Sequence, residues 1–299
     1  MRFFYSDTFD LSLPDGHRFP GRKYGMLRRK LLDERIVAND QLGRSPLVDP
    51  QVLEYAHATA YIQAFINGDL GDDAMRRIGL PWNEALVTRS LATMGGAVAA
   101  AEYALENGLS GQLAGGTHHA HRDFGAGFCV FNDFAVVALK ALHEGRVGKI
   151  AIIDLDVHQG DGNAAILGDN PDVFVFSIHG DKNFPVRKFP SDLDIALPDG
   201  VGDEDYLAIL ADALPKVFAF GPELVLYQAG VDPLAEDRLG RLTLTHDGLM
   251  RRDEMVLKTC LAQGIPVSMA IGGGYGEPIE ATVEAYANTY RVAKYLHGF

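Results

Sequence analysis

Four short, almost uninterrupted apolar runs dominate the second half of the sequence and constrain the fold more than any other feature. They cover residues 149–156, 173–179, 223–230 and 265–271. Strands that are apolar along their whole length are typical of a parallel sheet buried on both faces. Helical patterns accompany them at residues 131–143, 206–218 and 249–263. We therefore predict a three-layer α/β fold, with a central, mainly parallel β-sheet and helices on both faces.

The first half of the sequence has mainly helical patterns. They cover residues 24–37, 52–67 and 86–107, and Gly108 ends the last of them. A short strand-like run follows at residues 112–114. Because the sequence contains no Pro/Gly/Ser-rich linker and no repeat, we predict a single domain over residues 1–299.

Charge and cysteine content exclude several classes of protein. The sequence has 27 Lys and Arg residues against 40 Asp and Glu residues, a net charge of −13, which disfavours direct nucleic-acid binding. The uncharged stretch of mostly small and apolar residues at about 91–101 is far shorter than the ~20 residues of a membrane span. Two cysteines, Cys129 and Cys260, make neither a disulfide framework nor a zinc-binding pair. We expect a cytoplasmic protein.

Polar or glycine-rich residues follow three of the apolar runs. Asp156 and His158 follow the first, Asp232 follows the third, and Gly272 to Tyr275 follow the last. In open α/β sheets, ligands bind outside the carboxyl ends of the strands. We therefore predict an active site at the carboxyl ends of the strands, built from residues far apart in sequence.

The segment after the first run has the composition of a metal site. Strand alternation places Asp154, Asp156 and His158 on one side of an extended backbone. Asp156 and His158 together with Asp232 would supply two carboxylates and one imidazole, which leaves positions open for water and substrate at a catalytic zinc ion. Fe²⁺ accepts the same ligands. The alternative is an acidic loop with a solvated histidine.

Three of the ten histidines, His118, His119 and His121, follow a pair of glycines. A histidine held by an aspartate is the usual general base, because the carboxylate fixes its tautomer. Asp154 and Asp161 are available as partners. The alternative is a surface cluster of histidines or an adventitious metal binder.

Gly272 to Gly274 precede Tyr275. Three glycines allow the backbone to approach a ligand closely, and the tyrosine hydroxyl suits the stabilisation of a developing oxyanion. The segment lacks the residues of a phosphate-binding loop and the spacing of a dinucleotide fold. An ordinary tight turn is the alternative.

In combination, these residues resemble the histone deacetylase superfamily of zinc-dependent amidohydrolases, whose fold is arginase/deacetylase-like. The resemblance extends over essentially the whole chain and is carried by residues 4–5, 17, 115–120, 125–129, 131–133, 154–162, 197–200, 202–203, 230–232, 237–240, 244–245 and 272–275. Residues 23–32 and 131–133, with the short length, look closest to the class IV branch and its bacterial relatives. Gly160 stands where arginase-like bimetallic hydrolases have a second aspartate.

The resemblance implies catalytic roles for five residues. His119 would be the general base and then the general acid, oriented by Asp161. His118, paired with Asp154, would act mainly through its charge. Tyr275 would polarise the acyl carbonyl together with the metal.

The resemblance also implies three sets of binding residues. The zinc ligands would be Asp156, His158 and Asp232. A structural potassium ion would be held by Asp154, Asp156, His158, Ser177 and Ile178. A narrow substrate tunnel would be lined by Gly127, Phe128, Phe184, Leu239 and Gly273.

The implied activity is removal of an acetyl or longer acyl group from an acylated amine such as acyl-lysine. An acetylpolyamine or another small-molecule amide is an alternative substrate, and an inactive acyl-lysine binding module is an alternative class of protein. No counterpart of the acidic rim residue of many relatives is present near residues 80–82. Six acidic and no basic residues lie between Asp192 and Asp205, which is typical of a solvated loop; attraction of a cationic amine is the alternative.

Overall fold

The computed structural model describes residues 1–9, 11–14 and 16–299, and these residues build one eight-stranded, all-parallel β-sheet surrounded by helices. The strands are β1 (Arg2–Tyr5), β2 (Leu42–Arg44), β3 (Leu109–Gln112), β4 (Ile150–Asp154), β5 (Val173–Gly180), β6 (Leu193–Leu197), β7 (Leu224–Gln228) and β8 (Val267–Ala270). Their order across the sheet is β2-β1-β3-β8-β7-β4-β5-β6. This arrangement confirms the predicted α/β fold with a mainly parallel sheet.

The four predicted apolar runs form strands β4, β5, β7 and β8. The entire strand β4 is buried, and Ile150 to Ile153 are fully inaccessible to solvent. Strands β7 and β8 are buried throughout as well. Burial on both faces is the physical reason for their uninterrupted apolar sequences.

Four further strands lie outside the predicted runs. Strands β1 and β2 have only four and three residues, and β3 occupies residues 109–112 rather than the predicted 112–114. Strand β6 lies at the sheet edge, and its residues alternate between exposed and partly buried positions. Short strands and an edge strand lack the continuous apolar signal of the central strands.

Ten α-helices occur in the described part of the chain. They are α1 (Lys23–Asp33), α2 (Pro50–Leu53), α3 (Thr59–Asn67), α4 (Asp72–Ile78), α5 (Glu84–Asn107), α6 (Asp133–His143), α7 (Asp161–Leu167), α8 (Asp203–Ala219), α9 (His246–Gln263) and α10 (Ile279–His297). No helix among these described residues has both the length and the apolar character that a bilayer span requires.

The prediction of one helix over residues 52–67 is wrong, because the chain leaves the helix between α2 and α3. His57 lies in this break and is buried. Its Nδ1 lies 2.9 Å from the carbonyl oxygen of His121, and its Nε2 accepts a hydrogen bond of 2.8 Å from the amide of Asn132. The amide of Ala58, the next residue, donates to the carbonyl of Arg122 at 2.8 Å, a long-range contact that the local helical pattern does not register.

Side chains at the helix ends satisfy backbone groups that lack helical partners. The side chains of Asn83, Asn132 and Thr245 accept hydrogen bonds from the first turns of α5, α6 and α9. Gly108 follows α5 as predicted, with a φ of 88°. The cap at Asn132 fixes the start of α6, whose first residue reaches the site described next.

Candidate active site

The carboxyl ends of three neighbouring central strands place the candidate residues together. Asp154 at the end of β4 pairs with Gln228 at the end of β7, and Gln228 pairs with Ala270 at the end of β8. The segments that follow these three positions therefore leave the sheet side by side. They carry all the predicted metal-ligating residues and Tyr275.

Asp156, His158 and Asp232 form a buried group whose ligand atoms all lie within 4.8 Å of one another. The Nδ1 atom of His158 lies 3.1 Å from Oδ1 of Asp156 and 3.0 Å from Oδ2 of Asp232. Tetrahedral coordination with bonds of about 2.0–2.2 Å separates ligand atoms by about 3.3 Å. The spacing and the mixture of imidazole and carboxylate donors therefore fit a zinc-sized divalent cation.

Backbone amides hold the remaining oxygens of the two carboxylates. The amide of Gly273 donates to Oδ2 of Asp156 at 2.7 Å, and the amide of Val157 donates to Oδ1 of Asp232 at 2.8 Å. A Cβ atom on Gly273 would lie only 1.9 Å from Oδ2 of Asp232. Gly273, predicted as a tunnel residue, lines the cavity and also orients a candidate metal ligand.

The electrostatics of this group favour a bound cation. Burial, together with the neighbouring Asp156 carboxylate, raises the pKa of Asp232 to about 7. Burial alone would lower the pKa of His158, but hydrogen bonds and attraction to the two aspartates raise it to about 10. The two buried carboxylates repel each other, and a divalent cation bound between them would stabilise both in the ionised form.

Each of two adjacent histidines contacts its own aspartate. His118 Nδ1 lies 2.7 Å from Asp154 Oδ2, and His119 Nδ1 lies 2.6 Å from Asp161 Oδ1. Because an ionised carboxylate only accepts hydrogen bonds, Nδ1 carries the proton in both rings, and Nε2 of a neutral ring can accept one. The partners are those that the resemblance implies.

The two histidines differ in charge. Burial and the positive charge of His118 lower the pKa of His119 to about 4. Burial also acts to lower the pKa of His118, but the carboxylates of Asp154 and Asp156 raise it to about 9. At neutral pH, His119 is therefore the neutral imidazole and His118 the cationic one, as a base beside an electrostatic partner requires.

His121 is a second partner of Asp161 that the sequence analysis did not assign. Its Nε2 lies 3.0 Å from Oδ2 of Asp161, while its ring stacks on Phe124 at a centroid distance of 4.3 Å. Asp161 therefore bridges His119 and His121. The only sequence signal for a role of His121 was its position two residues after His119.

Asp133 positions the turn that carries the histidines and was likewise not assigned a role. Its buried carboxylate accepts hydrogen bonds from the amides of Gly116 and Thr117 at 2.7 and 2.8 Å, and from Gln112 Nε2 at 3.0 Å. Gly116 has a φ of 74°, and a Cβ there would lie 2.1 Å from Oε1 of Gln228. The turn therefore requires both this glycine and the carboxylate.

Tyr275 lines the same cavity, and its amide donates to Oδ2 of Asp237 at 2.6 Å. Burial raises the pKa of its hydroxyl well above the ordinary value, so the hydroxyl stays protonated as a hydrogen-bond donor. Lys23, which the sequence analysis did not single out, lies over the Tyr275 ring, with Nζ 4.8 Å from the centroid. It donates to the carbonyl of Gly274 at 3.0 Å, and burial lowers its pKa to about 8.

The predicted tunnel residues occupy two levels. Gly127 and Phe128 line the cavity beside the two histidines. Phe184 packs edge-on against His119 at a centroid distance of 4.8 Å and is 43% exposed. Leu239 is 39% exposed, and its carbonyl accepts a hydrogen bond of 2.7 Å from Asn183, beside Phe184.

Three of the residues implied for potassium, Asp154, Ser177 and Ile178, lie on adjacent strands. Asp154 on β4 is paired in register with Ser177 on β5, and Ile178 follows. The hydroxyl of Ser177 lies 3.0 Å from Nδ1 of His179. The potassium site stays a prediction.

The acidic segment between Asp192 and Asp205 is engaged in internal contacts. Asp192 accepts a hydrogen bond from the amide of Val175, and Asp203 accepts from Thr245 at the start of α9. Asp199 lies near both Lys182 and Arg241, at 3.4 and 3.3 Å, and Glu204 pairs with Arg251. These contacts leave the segment poorly suited to attract a cationic substrate.

Fold and site together define the arginase/deacetylase-like class of α/β proteins. The family model of the histone deacetylase domain matches residues 17–291. The chain therefore belongs to the histone deacetylase family, and it is a deacetylase-family amidohydrolase.

Several relatives and solved structures are similar to this chain. An uncharacterized protein of Picosynechococcus sp. is 44% identical over 97% of both chains. Histone deacetylase 8 of Xenopus laevis is 30% identical, over 80% of this chain and 79% of its own. Acetylpolyamine amidohydrolase of Mycoplana ramosa is 33% identical, over 54% of this chain and 50% of its own. A crystal structure of an HDAC homolog complexed with SAHA superposes with a TM-score of 0.85, at 25% identity, and covers all of this chain and 84% of that one.

Proposed function

We propose that this protein is a zinc-dependent deacylase that hydrolyses the amide bond between an acyl group and an amine, with acyl-lysine as the preferred type of substrate. The observation that carries the proposal is the buried Asp156–His158–Asp232 group in the same cavity as the aspartate-held His119. Zinc bound to this group would act as a Lewis acid toward the acyl carbonyl and would promote ionisation of water. Fe²⁺ is an alternative metal for these ligands.

His119 moves the proton in this proposal. Its Nδ1 is held by Asp161, so Nε2 is the atom that accepts a proton from the attacking water. Water forms the new bond to the acyl carbon, and the C–N bond then breaks. His119 returns the proton to the nitrogen, which leaves as an amine, and the acyl group leaves as a carboxylic acid.

Tyr275 and His118 would stabilise the negative charge that develops on the acyl oxygen. The protonated hydroxyl of Tyr275 is a preorganised hydrogen-bond donor in a buried cavity. His118 supplies positive charge beside His119, since the two ring centroids are 4.1 Å apart. The complete set of ligands, base and hydroxyl favours an enzyme over an inactive binding module.

The cavity walls support an extended acyl-lysine chain as the substrate. Gly127 and Phe128 line the cavity, and Phe184 packs edge-on against His119 beside it, so this side of the cavity offers backbone and apolar surface. A second candidate is an acetylpolyamine or another small amide, which the similarity to an acetylpolyamine amidohydrolase favours. The internal contacts of residues 192–205 weigh against that candidate, because they engage most of the carboxylates that would recognise a polyamine.

Turnover on a matched substrate panel tests the proposal. The panel contains acetyl-, trifluoroacetyl-, octanoyl- and myristoyl-lysine peptides, acetylputrescine and acetylspermidine, each tested with the zinc-loaded enzyme and with Asp156→Ala. Tyr275→Phe should lose about 2.7–4 kcal/mol of transition-state stabilisation, or roughly 10²–10³-fold in kcat.

Each outcome decides between the candidates. Activity on peptides that is lost in Asp156→Ala supports the acyl-lysine assignment, and its dependence on acyl length defines the acyl group. Activity confined to polyamines moves the assignment to small amides. A zinc-loaded enzyme that is silent on the whole panel refutes the substrate class, and full turnover by Tyr275→Phe removes Tyr275 from the mechanism.

A further inference from the structure

A buried ion pair on α9 lies behind the candidate active site, where it contacts Tyr227 of strand β7. Arg252 and Asp253 are 0% and 1% exposed, and neither takes part in the proposed chemistry. Nε and Nη2 of Arg252 lie 2.9 and 2.7 Å from Oδ1 of Asp253. The hydroxyls of Tyr227 and Thr289 donate to the same carboxylate at 2.5 and 2.6 Å.

The third guanidinium nitrogen of Arg252 faces the segments that carry the candidate metal ligands. Its Nη1 donates to the carbonyl of Gly230 at 2.6 Å and to the carbonyl of Leu155 at 3.2 Å. Leu155 immediately precedes Asp156, and Gly230 stands two residues before Asp232. One nitrogen therefore joins the backbone of the two segments that supply the ligands.

The contact at Gly230 bears directly on Asp156. A Cβ atom on Gly230 would lie 2.4 Å from Oδ2 of Asp156, so the Gly230 backbone and this carboxylate are packed together. The amide of Val157 bonds to Asp232, and the amide of Leu155 bonds to the carbonyl of Gln228 at 3.2 Å. Arg252 adds the contact that fixes this pair of segments from behind.

Net stability does not explain such a pair. Replacing a buried ion pair by apolar side chains of similar volume is often neutral or stabilising, because the cost of removing two charges from water offsets their attraction. An arginine fork, in contrast, holds a carboxylate and two carbonyls in one fixed plane, which a lysine ammonium does not reproduce. The geometry is therefore that of a positioning device.

We infer that Arg252 is a positioning residue that holds the Leu155 and Gly230 carbonyls, and thereby the three candidate ligands, at the spacing a divalent cation requires. The inference rests on the proposed metal site. Residues that orient metal ligands without touching the metal typically change affinity by about 10–100-fold when replaced.

Zinc affinity of the purified full-length chain tests this role. We would measure the zinc dissociation constant by competition with a chelator of known affinity, with far-UV circular dichroism and thermal unfolding on the same samples. Arg252→Lys keeps the charge and loses the fork. The double variant Arg252→Met/Asp253→Leu removes both charges together and so avoids leaving Asp253 buried without a cation.

Thr289→Val is the matched control. It removes one hydrogen bond to Asp253 but leaves the contacts of Arg252 with both carbonyls intact. We expect zinc binding to weaken by about 10–100-fold in Arg252→Lys and in the double variant, and to stay at the wild-type value in Thr289→Val.

Two outcomes overturn the inference in distinguishable ways. If both Arg252 variants fold and bind zinc as tightly as the wild type, Arg252 is a structural residue and the proposed function stands. If the folded wild-type protein itself binds no zinc, the proposed metal site and this inference both fail.

Discussion

Gly273→Ala places a single methyl group against the candidate metal site. The φ of Gly273 lies outside the left-handed region, so alanine suits its backbone conformation. The added Cβ would lie 1.9 Å from Oδ2 of Asp232 and 2.9 Å from Oδ2 of Asp156. The effect of the substitution is therefore confined to these contacts.

The size of the effect follows from the overlap. Close carbon–oxygen contacts in proteins have a separation of about 3.3 Å, so Asp232 and the Gly273 backbone must separate by roughly 1.4 Å. Oδ2 of Asp232 is the ligand atom nearest His158. Since a misplacement of about 1 Å in a catalytic arrangement costs on the order of 10²-fold, we expect kcat/KM to fall by that factor or more.

The assay is steady-state hydrolysis of the best substrate of the panel by zinc-loaded enzyme, with the zinc dissociation constant measured in parallel. Gly71→Ala is the matched control, because its Cβ would meet nothing within 4 Å and its φ is −67°. Wild-type kcat/KM in a folded Gly273→Ala would refute the close approach of this backbone to the ligand carboxylates. Equal losses in both variants would show that the effect is not specific to the site.

Three further predictions concern the base and the cavity wall. Asp161→Asn should lower kcat by on the order of 10²–10⁴-fold, because an amide does not hold the imidazole of His119 as a carboxylate does; unchanged kcat in a folded variant would contradict this. The pKa of His119, lowered to about 4, predicts that kcat/KM persists from neutral pH down to about pH 5 and is lost as pH falls through about 4, where protonated His119 no longer accepts a proton. A pH profile with its acid limb at the ordinary histidine pKa would contradict this assignment. Burial raises the pKa of the Cys129 thiol well above its ordinary value, so iodoacetamide at neutral pH should leave it unmodified in the folded protein; rapid alkylation detected by mass spectrometry would contradict its burial.

The central strands were predictable from the sequence because their environment is uniform. Ile150 to Asp154 are buried at every position, so the strand is apolar until it reaches the site. The edge strand β6 has no such uniformity, and β3, with sequence Leu-Ser-Gly-Gln, has almost no apolar pattern at all. Its place in the sheet is decided by its neighbours β1 and β8.

The residues of the candidate site likewise include some that the sequence predicted and others that it did not. Two properties made Asp156, His158 and Asp232 predictable. Carboxylate and imidazole groups are common metal ligands, and the strands that precede these residues end at the same edge of the sheet. Asp133 and Arg252 act through backbone groups that the fold brings to them from elsewhere in the chain. The sequence does not distinguish either residue from other charged residues on helices, so their contacts become visible only in the tertiary structure.

The position of β8 has a consequence for the synthesis of the protein. It is the last described strand along the chain, yet it lies between β3 and β7 and joins the two groups of strands. Until residues 267–270 leave the ribosome, β3 and β7 each have an unpaired strand edge, and unpaired edges of this kind are sites at which nascent chains aggregate. Tyr275 emerges later still, so we expect the cavity to be completed only after residue 275 has been translated.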